Sequence, residues 1–280
     1  MSKYIGIVGA GVMGKGIAQR LVQYGHKILL LDLNENILAD AAKSIKRNLK
    51  INNMAGKKHN IDEIMQSIIL SVDYEDFAEV DYVIENVTER FEVKREVYKS
   101  LEKVCKESCL YMVDTSCIPI TAIAALTQRE DKVIGVHFMN PVPLISFSEV
   151  IRGEYTSDET VKDIEAFLQT VGISIEVIKD SPGFVSNRLS HLLMNEAAFL
   201  VYENVASPQQ IDVICQNCFG HKMGPLATAD LIGIDTVLDS LKVLYDQYED
   251  PKFRACPLLK KMVCANKLGV KTGEGFHQYV

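Results

Sequence analysis

The start of the chain restricts its fold more than any other segment. A short apolar run, Tyr4 to Val8, leads directly into Gly9-Ala10-Gly11-Val12-Met13-Gly14, and helical periodicity begins at once with Ile17, Ala18 and Leu21. This strand–turn–helix context is the one a Gly-x-Gly-x-x-Gly dinucleotide fingerprint requires. Gly9 permits the tight turn, Gly11 lets the backbone approach a pyrophosphate, and Gly14 lets helix and strand pack closely. The helix N-terminus adds unpaired N–H groups and the positive end of a dipole. A second strand, Lys27 to Leu31, ends in Asp32, whose carboxylate can accept both ribose hydroxyls of an adenosine. Leu33 and Asn34 follow without an arginine for a 2′-phosphate, so NAD is expected over NADP.

With 280 residues, the chain can build one large or two modest domains with real cores. No apolar run approaches the roughly 20 residues of a membrane span, so no membrane partner is expected. The chain opens on a core strand rather than a basic, cleavable leader, which leads us to expect a cytoplasmic protein. A net charge of −7 argues against nucleic acid as a partner. Basic positions such as Lys43, Lys46, Arg47, Lys50, Lys57 and Lys58 could still steer a phosphate-bearing substrate. The seven cysteines have no disulfide-framework spacing. Cys215-x-x-Cys218-x-x-His221 lacks a fourth ligand at matching spacing. It reads as a helix end capped by Gly220, and no metal is expected.

Strand and helix signals alternate through the first 180 or so residues, with continuous apolar strands each followed by a helix. That pattern indicates a doubly wound, mostly parallel sheet covered on both faces. Beyond Asp180-Ser-Pro-Gly183 the signals are almost all helical: Phe184 to Asn204, Pro208 to Asn217, Pro225 to about Tyr248, and a shorter helix from Pro257. The expected organisation is an N-terminal α/β nucleotide domain of the Rossmann type over residues 1–182. An all-helical domain over 183–280 follows, with the ligand site in the cleft between them.

Several residues have the chemistry for such a site. His137 ends an apolar strand and opens the loop Phe138-Met-Asn140-Pro-Val-Pro143, and Glu149 interrupts the next apolar strand. A pair of this kind would fix the imidazole tautomer and stabilise the imidazolium formed on taking a proton. It reads equally as a satisfied core histidine beside an edge carboxylate. Ser116, in Asp114-Thr-Ser-Cys117, could meet a substrate oxygen or cap a turn. Asn187 lies in the first turns of the long helix. His191 and Asn195 follow on the same face and read as a solvated or interdomain stripe.

Taken together, the chain resembles the 3-hydroxyacyl-CoA dehydrogenase family along its whole length. The matching motifs are Gly9 to Gly14 with Asp32, Val83-Ile-Glu-Asn-Val-Thr-Glu89-Arg90, Asp114-Thr-Ser-Cys117 and His137-Phe-Met-Asn-Pro-Val-Pro143. They continue with Glu149-Val-Ile, Ser181-Pro-Gly-Phe-Val-Ser-Asn187-Arg188, His221-Lys-Met-Gly-Pro-Leu226 and Lys271-Thr-Gly-Glu-Gly-Phe276. The resemblance implies an NAD-dependent dehydrogenase in which His137 removes the hydroxyl proton while hydride leaves C3, with Glu149 orienting it. It implies that Ser116 and Asn187 hydrogen-bond the reacting oxygen. Asn140, Glu89, Lys94, Ser116 and Lys271 would contact NAD together with the glycine loop. It also implies a homodimer through the helical domain and an acyl thioester as substrate.

The chain departs from the family pattern in three places. The family's Asn-Thr-Ser-Ser reads Asp114-Thr-Ser-Cys117. The positions of its CoA-binding Ser and Lys residues carry Asn48, Met54 and Ala55. Ile145-Ser-Phe-Ser148 replaces Met-Lys-Leu-Val before the glutamate. Lys57 and Lys58 could compensate, but the grip on CoA phosphates is weakened. A phosphopantetheine arm on an acyl carrier protein is the alternative thioester. Relatives act in this way on a glyceryl group when polyketide extender units (hydroxymalonyl, methoxymalonyl) are made. A dehydrogenase of free hydroxy acids, with Arg188 or Arg90 as carboxylate clamp, and a non-catalytic structural relative are further alternatives.

Overall fold

Continuous apolar runs become strands here because helices cover both faces of the sheet they join. The computed structural model describes residues 2–54 and 60–279; Ala55, Lys57 and Lys58, weighed above against CoA, lie outside the described residues. Contacts divide the chain into two units, Met1–Ser181 and Pro182–Val280.

In the first unit the elements run β1 (Tyr4–Val8), α1 (Val12–Gln23), β2 (Lys27–Leu31), α2 (Glu35–Met54), α3 (Ile61–Gln66), β3 (Ile68–Ser71) and β4 (Tyr82–Glu85). They continue α4 (Phe91–Val104), β5 (Leu110–Val113), α5 (Ile120–Ala124), β6 (Val133–Phe138), β7 (Phe147–Arg152), α6 (Asp158–Thr170) and β8 (Ser174–Lys179). The 8-stranded sheet has the order β3-β2-β1-β4-β5-β6-β7-β8. All neighbours are parallel except β6 and β7. Strand order reverses direction between β1 and β4, the switch point at which such sheets bind ligands.

Strand residues alternate between the two faces. Ile5, Ile7, Ile28, Leu30, Ile84, Met112 and Val136 share a core with Ile17 and Leu21 of α1, Ile45 of α2 and Leu168 of α6. Each such burial contributes about 1.5–3 kcal/mol. On the other face, a Cβ on Gly6 would come within 2.3 Å of the Phe77 ring, so only glycine admits that ring against β1.

The second unit contains α7 (Ser186–Tyr202), α8 (Pro208–Phe219), α9 (Pro225–Ile232), α10 (Ile234–Tyr248) and α11 (Pro257–Cys264). Met194, Ala198, Ala229, Val237, Leu241 and Leu259 form its core. A capping box starts α8: Ser207 Oγ accepts the Gln210 N–H and the Gln210 side chain accepts the Ser207 N–H. Gly220, at φ 72°, closes the same helix in the left-handed region.

Two expectations are corrected in this unit. The single helix expected from Pro225 to Tyr248 is broken at Gly233, whose φ is 105°. The break has a tertiary cause. The Ile234 N–H bonds to Leu268 O at 3.2 Å, and the 269–277 segment packs so tightly that a Cβ on Gly269 would lie 2.2 Å from Asp230 O. Nor is the His191–Asn195 stripe solvated, since both residues are buried. Asn195 donates to Arg254 O at 3.0 Å and accepts from the Cys256 N–H at 2.8 Å, tying α7 to the segment that enters α11.

Candidate active site

The glycine loop is built as a phosphate cradle. Gly9 takes φ 99°, and a Cβ on Gly14 would fall 1.9 Å from Gly9 O, so strand and helix meet only through glycine there. A Cβ on Gly11 would meet nothing within 4 Å, so the backbone beside Gly11 is open to a ligand. Val12 and Met13 begin α1 and turn its first N–H groups to the loop. Asp32 Oδ2 accepts the Ala10 N–H at 2.9 Å, joining the end of β2 to the fingerprint. Gly9, Gly11, Asp32 and Asn86 line a cavity of about 310 Å³ at the switch point. Asn86 Oδ1 is buried without a hydrogen-bond partner among the described residues and packs where a Cβ on Gly14 would come within 2.9 Å of it. These residues fit the adenosine and pyrophosphate of a dinucleotide.

Farther along the sheet, His137 on β6 and Glu149 on β7 are directly opposed in the antiparallel ladder. His137 Nδ1 and Glu149 Oε2 are 3.0 Å apart, and both residues are buried. A carboxylate only accepts, so Nδ1 is the donor of this bond and Nε2 is the ring nitrogen turned away from Glu149. Asn140 is exposed and precedes a cis peptide to Pro141.

Glu89 organises the loop after β5. Its Oε1 accepts from Thr115 Oγ1 at 2.6 Å and from the N–H groups of Ser116 (3.1 Å), Cys117 (2.9 Å) and Ile118 (3.3 Å). Ser116 is thereby held half-buried at the carboxyl end of the sheet. Lys94 is fully buried, with Nζ donating to Glu85 Oε1 at 2.8 Å and Oε2 at 2.9 Å. Burial pushes the Glu85 carboxyl up, and Lys94 pulls it back. Burial also raises Asp114, to about 7, against the lowering pull of His137 and of the Phe138 N–H.

In the second unit Asn187 stands half-buried in the first turn of α7, where its carbonyl accepts from His191 Nδ1 at 2.8 Å. Lys271 Nζ donates to Asp235 Oδ2 at 2.6 Å. The structure thus brings His137 together with Glu149, Ser116 with Glu89, and Asp32 with the glycine loop.

Three residues of interest were given no role in the sequence reading. Glu85 is visible only as a carboxylate inside the apolar run of β4. Asn86 follows it in the Val83–Arg90 motif. Lys15, next to Gly14, lines a groove of about 370 Å³ with Gln19, Asn48, Asn140 and Leu144, and among the described residues no other that lines it is charged. Its place right after the fingerprint was the available signal. Among the described residues no group of three His, Cys, Asp or Glu could hold a metal, and no helix is long and apolar enough to cross a membrane.

Residues 4–181 match the model of the 3-hydroxyacyl-CoA dehydrogenase NAD binding domain, and residues 183–279 that of the 3-hydroxyacyl-CoA dehydrogenase C-terminal domain. The chain is 41% identical over 279 residues to a probable 3-hydroxybutyryl-CoA dehydrogenase of Bacillus subtilis, covering 99% of this chain and 97% of that protein. It is 38% identical over 277 residues to 3-hydroxybutyryl-CoA dehydrogenase of Clostridioides difficile, covering 98% and 99%. The crystal structure of (S)-3-hydroxybutyryl-CoA dehydrogenase from Ralstonia eutropha superposes with a TM-score of 0.95 at 37% identity, covering 100% of both chains.

Proposed function

The chain belongs to the 3-hydroxyacyl-CoA dehydrogenase family, and on that premise we propose that it interconverts a short-chain 3-hydroxyacyl thioester and its 3-oxo form through His137. It is an NAD-dependent dehydrogenase. The observation that carries the mechanism is the buried 3.0 Å pair of His137 Nδ1 and Glu149. Neutral His137 accepts the substrate hydroxyl proton on Nε2, and Glu149 holds the ring and stabilises the imidazolium that results. In the reverse direction the imidazolium returns the proton. NAD, when bound, supplies the hydride acceptor. The loop Gly9 to Gly14 would hold its pyrophosphate and Asp32 its adenosine ribose. Ser116 and Asn187 are assigned to the reacting oxygen, and Asn140, Glu89, Ser116 and Lys271 to the cofactor. Lys94, committed to Glu85, serves the cofactor end by fixing β4 rather than by contact.

The test is turnover of 3-hydroxybutyryl-CoA, followed by NADH absorbance, in His137→Ala and Glu149→Gln. Loss of a positioned general base costs about 10²–10⁴ in rate, and NADH binding should be retained. His137→Ala turning over within about threefold of the wild type would sink the assignment.

A second reading, a thioester carried on a protein-bound phosphopantetheine arm, is favoured by one observation. In the groove of about 370 Å³, Lys15 is the one charged lining residue among the described residues. CoA's diphosphate and 3′-phosphate call for more cations than that. The same acetoacetyl or glyceryl group on CoA and on a carrier-protein arm distinguishes the two readings, and preference for the carrier supports the second. Self-association through the second unit is part of this proposal. Leu189, Val213, Ile214, Phe219 and Leu231 are all between 47% and 66% exposed. Light scattering that gives a monomer at micromolar concentration would remove the homodimer.

A further inference from the structure

Arg20 buries a cation that takes no part in the proton or hydride transfer. It stands in the last turn of α1 and is only 5% exposed. Its Nε donates to Val171 O at 2.9 Å and its Nη2 to Gly172 O at 2.7 Å, in the turn between α6 and β8. The same Nη2 donates to Ser146 Oγ at 3.1 Å, and Nη1 to Pro143 O at 3.4 Å, in the connection from β6 to β7. All four acceptors are neutral, and among the described residues no carboxylate pairs with the charge. Gly172, at φ 67°, makes room for this arrangement. A Cβ there would lie 2.6 Å from Tyr24 Oη and 3.3 Å from Arg20 Nη2. An apolar side chain would fill the space without the cost of burying a cation. What the guanidinium adds is a rigid fork of donors that reaches two segments at once.

One of those segments is fixed already: Val171 and Ile173 are buried in the core that covers the sheet. The other, residues 139–146, joins the strand of His137 to the strand of Glu149. Its Asn140, Pro143 and Leu144 line the groove of about 370 Å³ together with Lys15, Gly16 and Gln19 of α1. Gly16 and Arg20 lie one turn apart on α1 and share a face. A Cβ on Gly16 would come within 3.3 Å of Val142 and 3.5 Å of Pro143, so glycine lets the connection close on the helix, and Arg20 bonds it one turn further on. Inside the connection, Pro141 O accepts the N–H groups of Leu144 at 2.9 Å and Ile145 at 3.1 Å. Those bonds shape its turn but do not attach it to α1.

We propose that Arg20 is a positioning residue for the substrate: it clamps the β6–β7 connection onto α1 and so sets the width of the groove that receives the thioester's arm. The inference rests on that groove being the thioester site. His137 and Glu149 are held by their own ladder, so the clamp acts on substrate affinity more than on the chemical step.

The experiment uses the full-length enzyme at a temperature where every variant is folded. Hydrogen exchange reports the clamp directly, and in Arg20→Met the Leu144 and Ile145 amides should exchange at least about tenfold faster than in wild type. KM for acetoacetyl-CoA should rise about tenfold with kcat within about threefold, because the substrate meets a groove of variable width. Arg20→Lys keeps the charge without the fork and should resemble Arg20→Met. Ser146→Ala should raise KM about threefold alone and add little in the Arg20→Met background. Unchanged amide exchange in Arg20→Met, or a wild-type KM in Arg20→Lys, overturns the inference. Ser44→Trp tests the groove separately, by adding bulk on its α2 side. If it raises KM while Arg20→Met does not, the inference alone fails. If neither raises KM, the groove is not the thioester site and the inference falls with that reading. Should Arg20→Met fail to fold, Ser146→Ala decides: faster exchange with a raised KM supports the clamp, and wild-type values overturn it.

Discussion

Replacing Lys94 by methionine is expected to destabilise the first unit by about 3–5 kcal/mol, the cost of leaving a buried carboxylate unpaired. Both side chains of the Lys94–Glu85 pair are 0% exposed. At 2.8 Å and an effective dielectric constant near 20, the charges attract by about 6 kcal/mol, which the desolvation of two ions largely cancels. Methionine fills a similar volume and removes the attraction together with the lysine's own desolvation cost, while Glu85 stays desolvated and keeps the Val87 N–H, 2.8 Å away. For a unit of this size the loss corresponds to roughly 6–20 °C in melting temperature.

The pH dependence follows from Glu85. Burial already holds its carboxyl above the ordinary value, and without Lys94 it rises further. A carboxyl raised in the folded state keeps a proton that the unfolded chain gives up. Its contribution is therefore fully present below the unfolded value and lost as pH rises through the folded one. The Lys94→Met deficit should be largest at mildly alkaline pH and shrink on acidification as Glu85 protonates. Glu85→Gln combined with Lys94→Met should recover most of the loss at every pH. Calorimetric melting of the three proteins across pH is the assay. A Lys94→Met protein within about 1 kcal/mol of wild type at mildly alkaline pH, or a deficit independent of pH, would refute the reasoning.

Asp114 gives a stability prediction of the opposite sign. Its carboxyl is raised to about 7, so the folded state loses stability as pH climbs from the ordinary carboxyl value near 4 through 7. Asp114→Asn should match wild type at acidic pH and exceed it by about 1–3 kcal/mol above pH 7, with chemical denaturation as the check. Gly14→Ala places a Cβ 1.9 Å from Gly9 O and should weaken NADH binding at least about tenfold by fluorescence titration; an unchanged affinity would contradict the packing role. Ser207→Ala removes one half of the α8 capping box, and urea denaturation should register a loss of about 0.5–2 kcal/mol.

The sheet was legible because local sequence forces it. Runs such as Lys27 to Leu31 and Leu110 to Val113 can be buried on both faces only as strands of a covered sheet, and the Gly9–Gly14 spacing marks its first turn. Helix ends at Ser207 and Gly220 were equally local, set by a capping side chain and a left-handed glycine. Pairings between residues far apart in sequence required the fold. The direct opposition of His137 and Glu149 depends on β7 turning antiparallel to β6, a register that neither strand's composition encodes. The use of Glu89 to shape the 115–118 loop depends on the β4–β5 adjacency, and the Lys94–Glu85 pair on how α4 packs against β4.

The break at Gly233 makes the same distinction inside one segment. The 225–248 stretch is helical by propensity, but the incoming 269–277 segment claims the Asp230 carboxylate through the Phe276 and His277 N–H groups and interrupts the helix. The sequence by itself determined which segments are strands and helices and where a dinucleotide phosphate belongs, because apolar periodicity and backbone sterics act over a few residues. Only the tertiary structure decided which charges are buried together, because desolvation and Coulomb energy depend on neighbours that chain order does not reveal.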